Sequence, residues 1–151
     1  ANGVKSAKES FDAIRDGISV ARDAMSGFSD GMSMASGAVD ALKMANIPMA
    51  SVDYINAHGT GTPNNDQSES VALHRLFGDC IPPISSTKSY IGHTTSASGS
   101  IETVISLIAM NNSFIPVNLS WEKQSEDCIV PYMNDEKREL HYVLCRTWHS
   151  R

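Results

Sequence analysis

The chain has 151 residues, 41% hydrophobic and 19% charged, with a net charge of −5. That is the size of one globular domain with enough apolar surface for a core, which excludes a disordered chain, and its acidity gives no electrostatic footprint for nucleic acid or an anionic membrane. The three cysteines, Cys80, Cys128 and Cys145, are odd in number and form no CxxC, so they fit neither a disulfide scaffold nor a structural zinc site and suit a reducing cytoplasm. No apolar run approaches the roughly 20 residues that span a bilayer, and no signal-peptide core follows Ala1, so the expectation is a soluble, unexported protein.

Residues 7–17 are expected to form a helix end, and Ile18–Ala21 a short strand after Gly17. Ser26-Gly27-Phe28-Ser29-Asp30-Gly31 then reads as a turn. A helix follows over Met32–Met44, with Met34, Ala38, Ala41, Leu42 and Ala45 forming one buried face and Pro48 beyond its end. Val52, Tyr54 and Ile55 make a brief strand that must stop at His58-Gly59-Thr60-Gly61-Thr62-Pro63, which places His58 at the strand's carboxyl end.

Asn64 or Asn65 can cap a second helix, with Val71, Leu73, Leu76 and Phe77 at helical spacing and Gly78 as its stop. Pro82-Pro83 opens a strand over Ile84-Ser85-Ser86, and Thr87–Ser96 is small and polar. Ala97–Met110 is a helix whose Ala97, Ile101, Val104, Ile105 and Ile108 are expected to face inward, with small residues in its first turns that allow close backbone approach. Ser113–Asn118 reads as a strand, Trp121–Asp135 as an irregular charged loop and Tyr142–Cys145 as a last strand. The predicted order, β-α-β-α-β-α-β-β, is an α/β layer arrangement with a mixed sheet covered by helices, and no repeat period indicates a solenoid.

His58 and His93 stand out because each lies in a glycine-containing turn just beyond a predicted strand, where open α/β sheets bind ligands. His74, His141 and His149 lack that setting and read as ordinary hydrogen-bonded residues. A metal site built from His58, His93 and Asp66 matches no zinc spacing, so no metal is expected.

Asn56-Ala57-His58-Gly59-Thr60-Gly61-Thr62-Pro63 with Asp66 and Glu69 downstream, then Ser85-Ser86-Thr87-Lys88-Ser89 and Gly92-His93-Thr94 leading to Ala97, Gly99 and Glu102, resemble the β-ketoacyl synthase family. Asp30-Gly31-Met32 and Pro116-Val117-Asn118-Leu119 extend the resemblance, which runs from about Ile14 to Cys145. It implies a thiolase-like fold built from two duplicated halves, of which residues 1–151 look like the C-terminal one. It also implies a decarboxylative condensation of a malonyl thioester with an acyl chain held on a cysteine. His58 and His93 would polarise the malonyl thioester carbonyl and stabilise the enolate, Lys88 and Glu102 would be a charged pair governing the site's electrostatics, and Asp66 and Glu69 would support it. Thr60 and Thr62 would hydrogen-bond the pantetheine arm of acyl carrier protein, so that substrates arrive on phosphopantetheine and no cofactor is needed. The chemistry agrees with these residue types, because an enolate oxygen needs preorganised N–H donors and imidazole supplies them near neutral pH.

Two departures follow. The family nucleophile sits in an Ala-Cys-Ser context of the N-terminal half, and neither Cys80, Cys128 nor Cys145 has such neighbours. After Leu144-Cys145 the family's Asn-Ser-Phe-Gly-Phe-Gly-Gly gating loop is replaced by Arg146-Thr147-Trp148-His149-Ser150-Arg151, an atypical tail over 146–151 that suggests truncation. The leading expectation is therefore the histidine-bearing part of a β-ketoacyl-[acyl-carrier-protein] synthase of fatty acid or polyketide synthesis, inactive without a cysteine-bearing half. The alternative is a non-catalytic partner akin to a chain-length factor, or a truncated remnant. Either way, a homo- or hetero-oligomer is expected, because the Ala97–Met110 helix would leave apolar surface to cover.

Overall fold

A computed structural model of the chain describes residues 2–122 and 128–145. The order is α1 (Asn2–Ala45), β1 (Tyr54–Asn56), α2 (Pro63–Phe77), β2 (Ile84–Ser85), α3 (Lys88–Ile91), α4 (Ser98–Asn112) and β3 (Val143–Cys145), with short 3-10 turns at Met49–Ser51 and Thr95–Ala97. The sheet runs β2-β1-β3, with both pairings parallel. The register sets Asn56 opposite Ser85 on one side and opposite Cys145 on the other.

Alternation along β1 divides the core. Ile55 and Ala57 pack with Leu42 of α1, Leu73 of α2, Val52 and Ile84. Tyr54, on the opposite face, packs with Ala109 of α4, Ile115 and Leu140. The α/β class read from the sequence holds, with α1 and α2 on one face and α4 on the other, while the described sheet is parallel rather than mixed. Asp53, immediately before β1, accepts the N–H groups of His141 and Tyr142 on Oδ2, at 2.7 and 2.9 Å, and so fixes the entry of β3.

Several sequence expectations are corrected. The strand at Ile18–Ala21 and the turn after Ser26 do not exist, since one helix runs through both. No proline precedes Pro48, and glycines cost a helix only about 1 kcal/mol each, whereas proline costs about 3. α1 ends where Asn46 turns left-handed at φ 55°, with Ile47 N–H donating to Leu42 O and Asn46 N–H to Lys43 O, the paired closure that satisfies a helix's last carbonyls. Its inward face uses Ala38 and Leu42, while Ala41 and Ala45 are exposed; the side chain of Met34 is outside the described residues. In α2, Leu73 is buried but Val71 is exposed, because the buried stripe also takes Ser68, Glu69 and Ala72.

The inward face of α4 is rotated from the expected one, with Ile101 and Ile105 only half-buried. Ser98, Glu102, Ser106 and Ala109 are buried, whereas Val104 and Leu107 are 55% and 53% exposed, and Ala97 and Ile108 are exposed too. Finally, Ser113–Asn118 forms no strand beyond a lone antiparallel bridge between Phe114 and Lys137. Its backbone is instead held by side chains: Ser85 Oγ donates to Pro116 O, Tyr90 OH donates to Val117 O at 2.7 Å, and Leu119 N–H donates to Ser89 Oγ at 3.2 Å. A chain whose polar groups are met by hydroxyls has no need of a ladder. Part of the Trp121–Asp135 loop, at 123–127, and the tail at 146–151 lie outside the described residues.

Burial raises the Asp53 carboxyl, but the Tyr142 and His141 N–H groups, with His141 and Arg138 nearby, outweigh it and hold it below the usual carboxylate range. A depressed carboxyl stabilises the fold above its unfolded pKa and loses that contribution as pH falls through the folded value. Hydrogen exchange, corrected for its intrinsic rate, should therefore show the His141 and Tyr142 amides losing protection below about pH 4. Asp53→Asn, whose amide oxygen still accepts, should flatten that dependence; an equally steep loss in the variant would contradict the assignment.

Candidate active site

The turn after β1 carries His58 and is held by carboxylates from α2. Glu69 accepts the N–H of His58 on Oε1 at 2.8 Å and that of Gly59 on Oε2 at 2.9 Å. Asp66 accepts the N–H of Gly61 at 3.3 Å. Asp66 sits in the first turn of α2, where the helix dipole favours negative charge, and Glu69 one turn further on, so the acidic side chains downstream of His58 shape its loop through the backbone. Thr60 and Thr62 share a hydroxyl contact of 3.0 Å on the rim of that loop, and Thr62 is exposed.

β2 delivers the second part. Immediately after Ser85, the chain turns at Ser86-Thr87 into the single-turn α3, whose first residue is Lys88. Lys88 Nζ bonds Glu102 Oε1 of α4, and the two side chains are 4% and 0% exposed. Charges removed from water in this way must be paired. Around the pair, Asn56 Nδ2 reaches Thr87 Oγ1 and Ser106 Oγ, each at 3.3 Å, while Ser106 Oγ donates to Glu102 O at 2.8 Å.

The chain leaves α3 at Gly92 and presents His93. The rings of His58 and His93 stand edge to face, with centroids 5.3 Å apart and planes at 89°. His58 is buried and His93 exposed. His93 Nδ1 accepts the N–H of Thr95 at 3.0 Å, which leaves Nε2 to carry the proton of the neutral ring. Thr95 itself has φ 50°, a left-handed conformation costly for a β-branched residue, and strain of this kind collects at functional sites.

A cleft of about 650 Å³ opens beside this assembly, with Thr60, Ser86, Lys88, His93, Asn118 and Trp121 on its walls. The fold thus gathers His58, His93, Lys88, Glu102, Asp66, Glu69 and Thr60 into one region, with Thr62 at its outer edge. Sequence reasoning gave no role to Asn56, Ser86, Ser106 or Asn118, whose hydroxyls and amides tie these pieces together; only the density of small polar residues around Lys88 signalled them. Among the described residues, no group of three or more His, Cys, Asp or Glu side chains is placed to hold a metal ion.

The comparisons fit this geometry. The family described as beta-ketoacyl synthase, C-terminal domain, matches residues 13–122. The 3-oxoacyl-[acyl-carrier-protein] synthase 2 of Coxiella burnetii is 41% identical over 103 residues, which are 67% of this chain and 25% of that protein. Among solved structures, a type II polyketide synthase acyl-carrier protein in complex with its ketosynthase bound to the hexaketide matches with a TM-score of 0.72 at 32% identity, over 77% of this chain and 29% of that one. The ishigamide ketosynthase/chain length factor matches with a TM-score of 0.63 at 30% identity, over 68% and 26%.

The chain belongs to the β-ketoacyl synthase family and corresponds to its C-terminal domain. It spans about a quarter of the length of the curated relatives it matches.

Cys145, at the end of β3, is half-buried beside this site. Burial, and then the Glu102 carboxylate nearby, push its thiol up, against opposing hydrogen bonds from Ser106 and Thr103. A protonated thiol is a poor nucleophile. Iodoacetamide at neutral pH should therefore modify the exposed Cys80 about tenfold faster than Cys145, as followed by peptide mass spectrometry; preferential labelling of Cys145 would contradict this.

Proposed function

We propose that this chain supplies the histidine- and lysine-bearing part of a 3-oxoacyl-[acyl-carrier-protein] synthase site. The observation that carries the reading is the edge-to-face His58–His93 pair, at 5.3 Å, set against the buried Lys88–Glu102 ion pair. In the reaction, the bond between the malonyl carboxylate and its α-carbon breaks, carbon dioxide leaves, and the electron pair forms an enolate whose charge rests on the thioester oxygen. The enolate carbon then attacks an acyl-cysteine thioester and expels the cysteine thiolate, giving a 3-oxoacyl product on the carrier.

His93 offers Nε2–H toward that oxygen because Thr95 occupies Nδ1, and His58 lies in ring contact with it. Preorganised donors of this kind are worth about 3 to 4 kcal/mol each in acyl-transfer sites. Lys88 and Glu102 set the local field, Asp66 and Glu69 hold the His58 loop, and Thr60 and Thr62 offer hydroxyls to a pantetheine arm. Acyl carrier protein is the proposed donor and acceptor partner, its phosphopantetheine entering as part of the substrate, with no resident cofactor. The setting is the cytoplasm, and among the described residues no helix is long and apolar enough to cross a membrane.

The nucleophile comes from elsewhere, since no cysteine of the chain has the required context, and residues 1–151 alone are inactive in this reading. The exposed Val104, Leu107 and Ile108 of α4 support association with the cysteine-bearing part, because a helix that turns its apolar side to water gains by covering it. A second reading, a non-catalytic partner of chain-length-factor type, is favoured by the likeness to the ishigamide ketosynthase/chain length factor.

Mixing the chain with a cysteine-bearing ketosynthase part, malonyl-carrier and acyl-carrier separates the two. The enzymatic reading predicts 3-oxoacyl product, and His58→Ala or His93→Ala should each lower kcat by about 10² to 10³. A stable complex without product, or full activity in both variants, would overturn it in favour of the structural partner.

A further inference from the structure

His58 follows β1 whereas His93 follows α3, so something must set the distance between the turn after β1 and the turn that leads from β2 into α3. A direct contact between these turns is Gly59 against Ser86. Gly59 has φ +45°, and a Cβ there would stand 2.4 Å from Ser86 Cβ, so the backbone of the His58 turn lies directly on the serine side chain. Ser86 Oγ lies 3.3 Å from His58 O and 3.2 Å from Gly59 O, and its one hydrogen is shared between those carbonyls. The same oxygen accepts the N–H of Lys88 at 3.3 Å. One hydroxyl thus joins the His58 turn to the start of α3, from which Lys88 and His93 follow.

Ser86 is itself held from outside. Its N–H donates to Asn118 Oδ1 at 2.9 Å, and the Asn118 N–H donates to Tyr132 O at 3.1 Å. On either side of Asn118, the bonds from Tyr90 to Val117 and from Leu119 to Ser89 fasten the Pro116–Leu119 segment along α3. Asn118 is therefore the one side chain of that segment that grips the turn's backbone next to the His58 contact.

We propose that Ser86 and Asn118 are positioning residues, which act through the His58 turn to hold His58 in register with His93 and Lys88. Their importance for turnover rests on the functional reading above, but the mechanical coupling does not.

The test uses the 151-residue chain and diethyl pyrocarbonate, with acylation of each histidine followed by peptide mass spectrometry. His58 is buried, so its acylation reports opening of the turn, while exposed His93 is the internal reference. Ser86→Ala and Asn118→Leu should raise the His58 rate relative to His93 about fivefold, the scale set by one lost hydrogen bond. Asn118→Asp keeps an acceptor oxygen and should keep the parental rate. If Asn118→Leu loses the fold, Ser86→Ala, which removes a single oxygen, decides the matter.

A parental His58 rate in Ser86→Ala would overturn the proposal, and so would an equal rise in Asn118→Asp and Asn118→Leu. Because this readout needs no condensation, a chain that responds as expected yet yields no 3-oxoacyl product with its partner would leave the coupling standing and overturn the enzymatic reading alone. In an active assembly, Ser86→Ala should lower kcat with KM unchanged.

Discussion

Glu102 is fully buried and ion-paired to Lys88. Much of the architecture around the site follows from that one pair. A carboxylate this deep can persist only with a cation beside it. It must therefore face the sheet where Lys88 can reach it, and in facing inward it orients the whole of α4. Ser98, Ser106 and Ala109 share its stripe and turn inward with it, and Val104, Leu107 and Ile108 are left outward.

The rest of the site is a polar layer laid over a small parallel sheet. Three strands of two or three residues give few ladder hydrogen bonds, so side chains supply what the ladders do not. Asn56 bridges from the central strand to Thr87 and Ser106, Tyr54 OH meets Ser85 Oγ at 2.8 Å, and Ser86 and Asn118 join the two turns. Such networks hold a geometry firmly when each member is satisfied, and the low dielectric inside strengthens them. Two imidazoles from separate segments can then keep a fixed relation, which is what charge stabilisation at a developing oxyanion demands.

The sequence made some of this plain and concealed the rest for physical reasons. The position of His58 was legible because β1 runs straight into a turn of two glycines and a proline, and the end of α2 because Gly78 follows its last apolar residues. The long α1 was not, since its glycines resemble turn signals while the absence of proline, the weightier fact, is easy to overlook. The α4 face was misread because hydrophobic periodicity locates an apolar side without saying what covers it; here the inward side is chosen by an ion pair with a residue fourteen positions earlier. The Pro116–Leu119 segment has the composition of a strand, yet most partners of its backbone are hydroxyls from 85–90, with Tyr132 O taking the Asn118 N–H, a pairing that no local pattern encodes. The roles of Ser86 and Asn118 were hidden likewise, because both depend on contacts between distant segments.

The buried pair as the organising constraint is tested most directly by a double-mutant cycle on unfolding free energy with Lys88→Met, Glu102→Gln and both together. Each single substitution strands a buried charge or its partner and should cost about 3 to 5 kcal/mol, while the double variant should lose clearly less than the sum. Losses that simply add, or single variants as stable as the parent, would contradict the account.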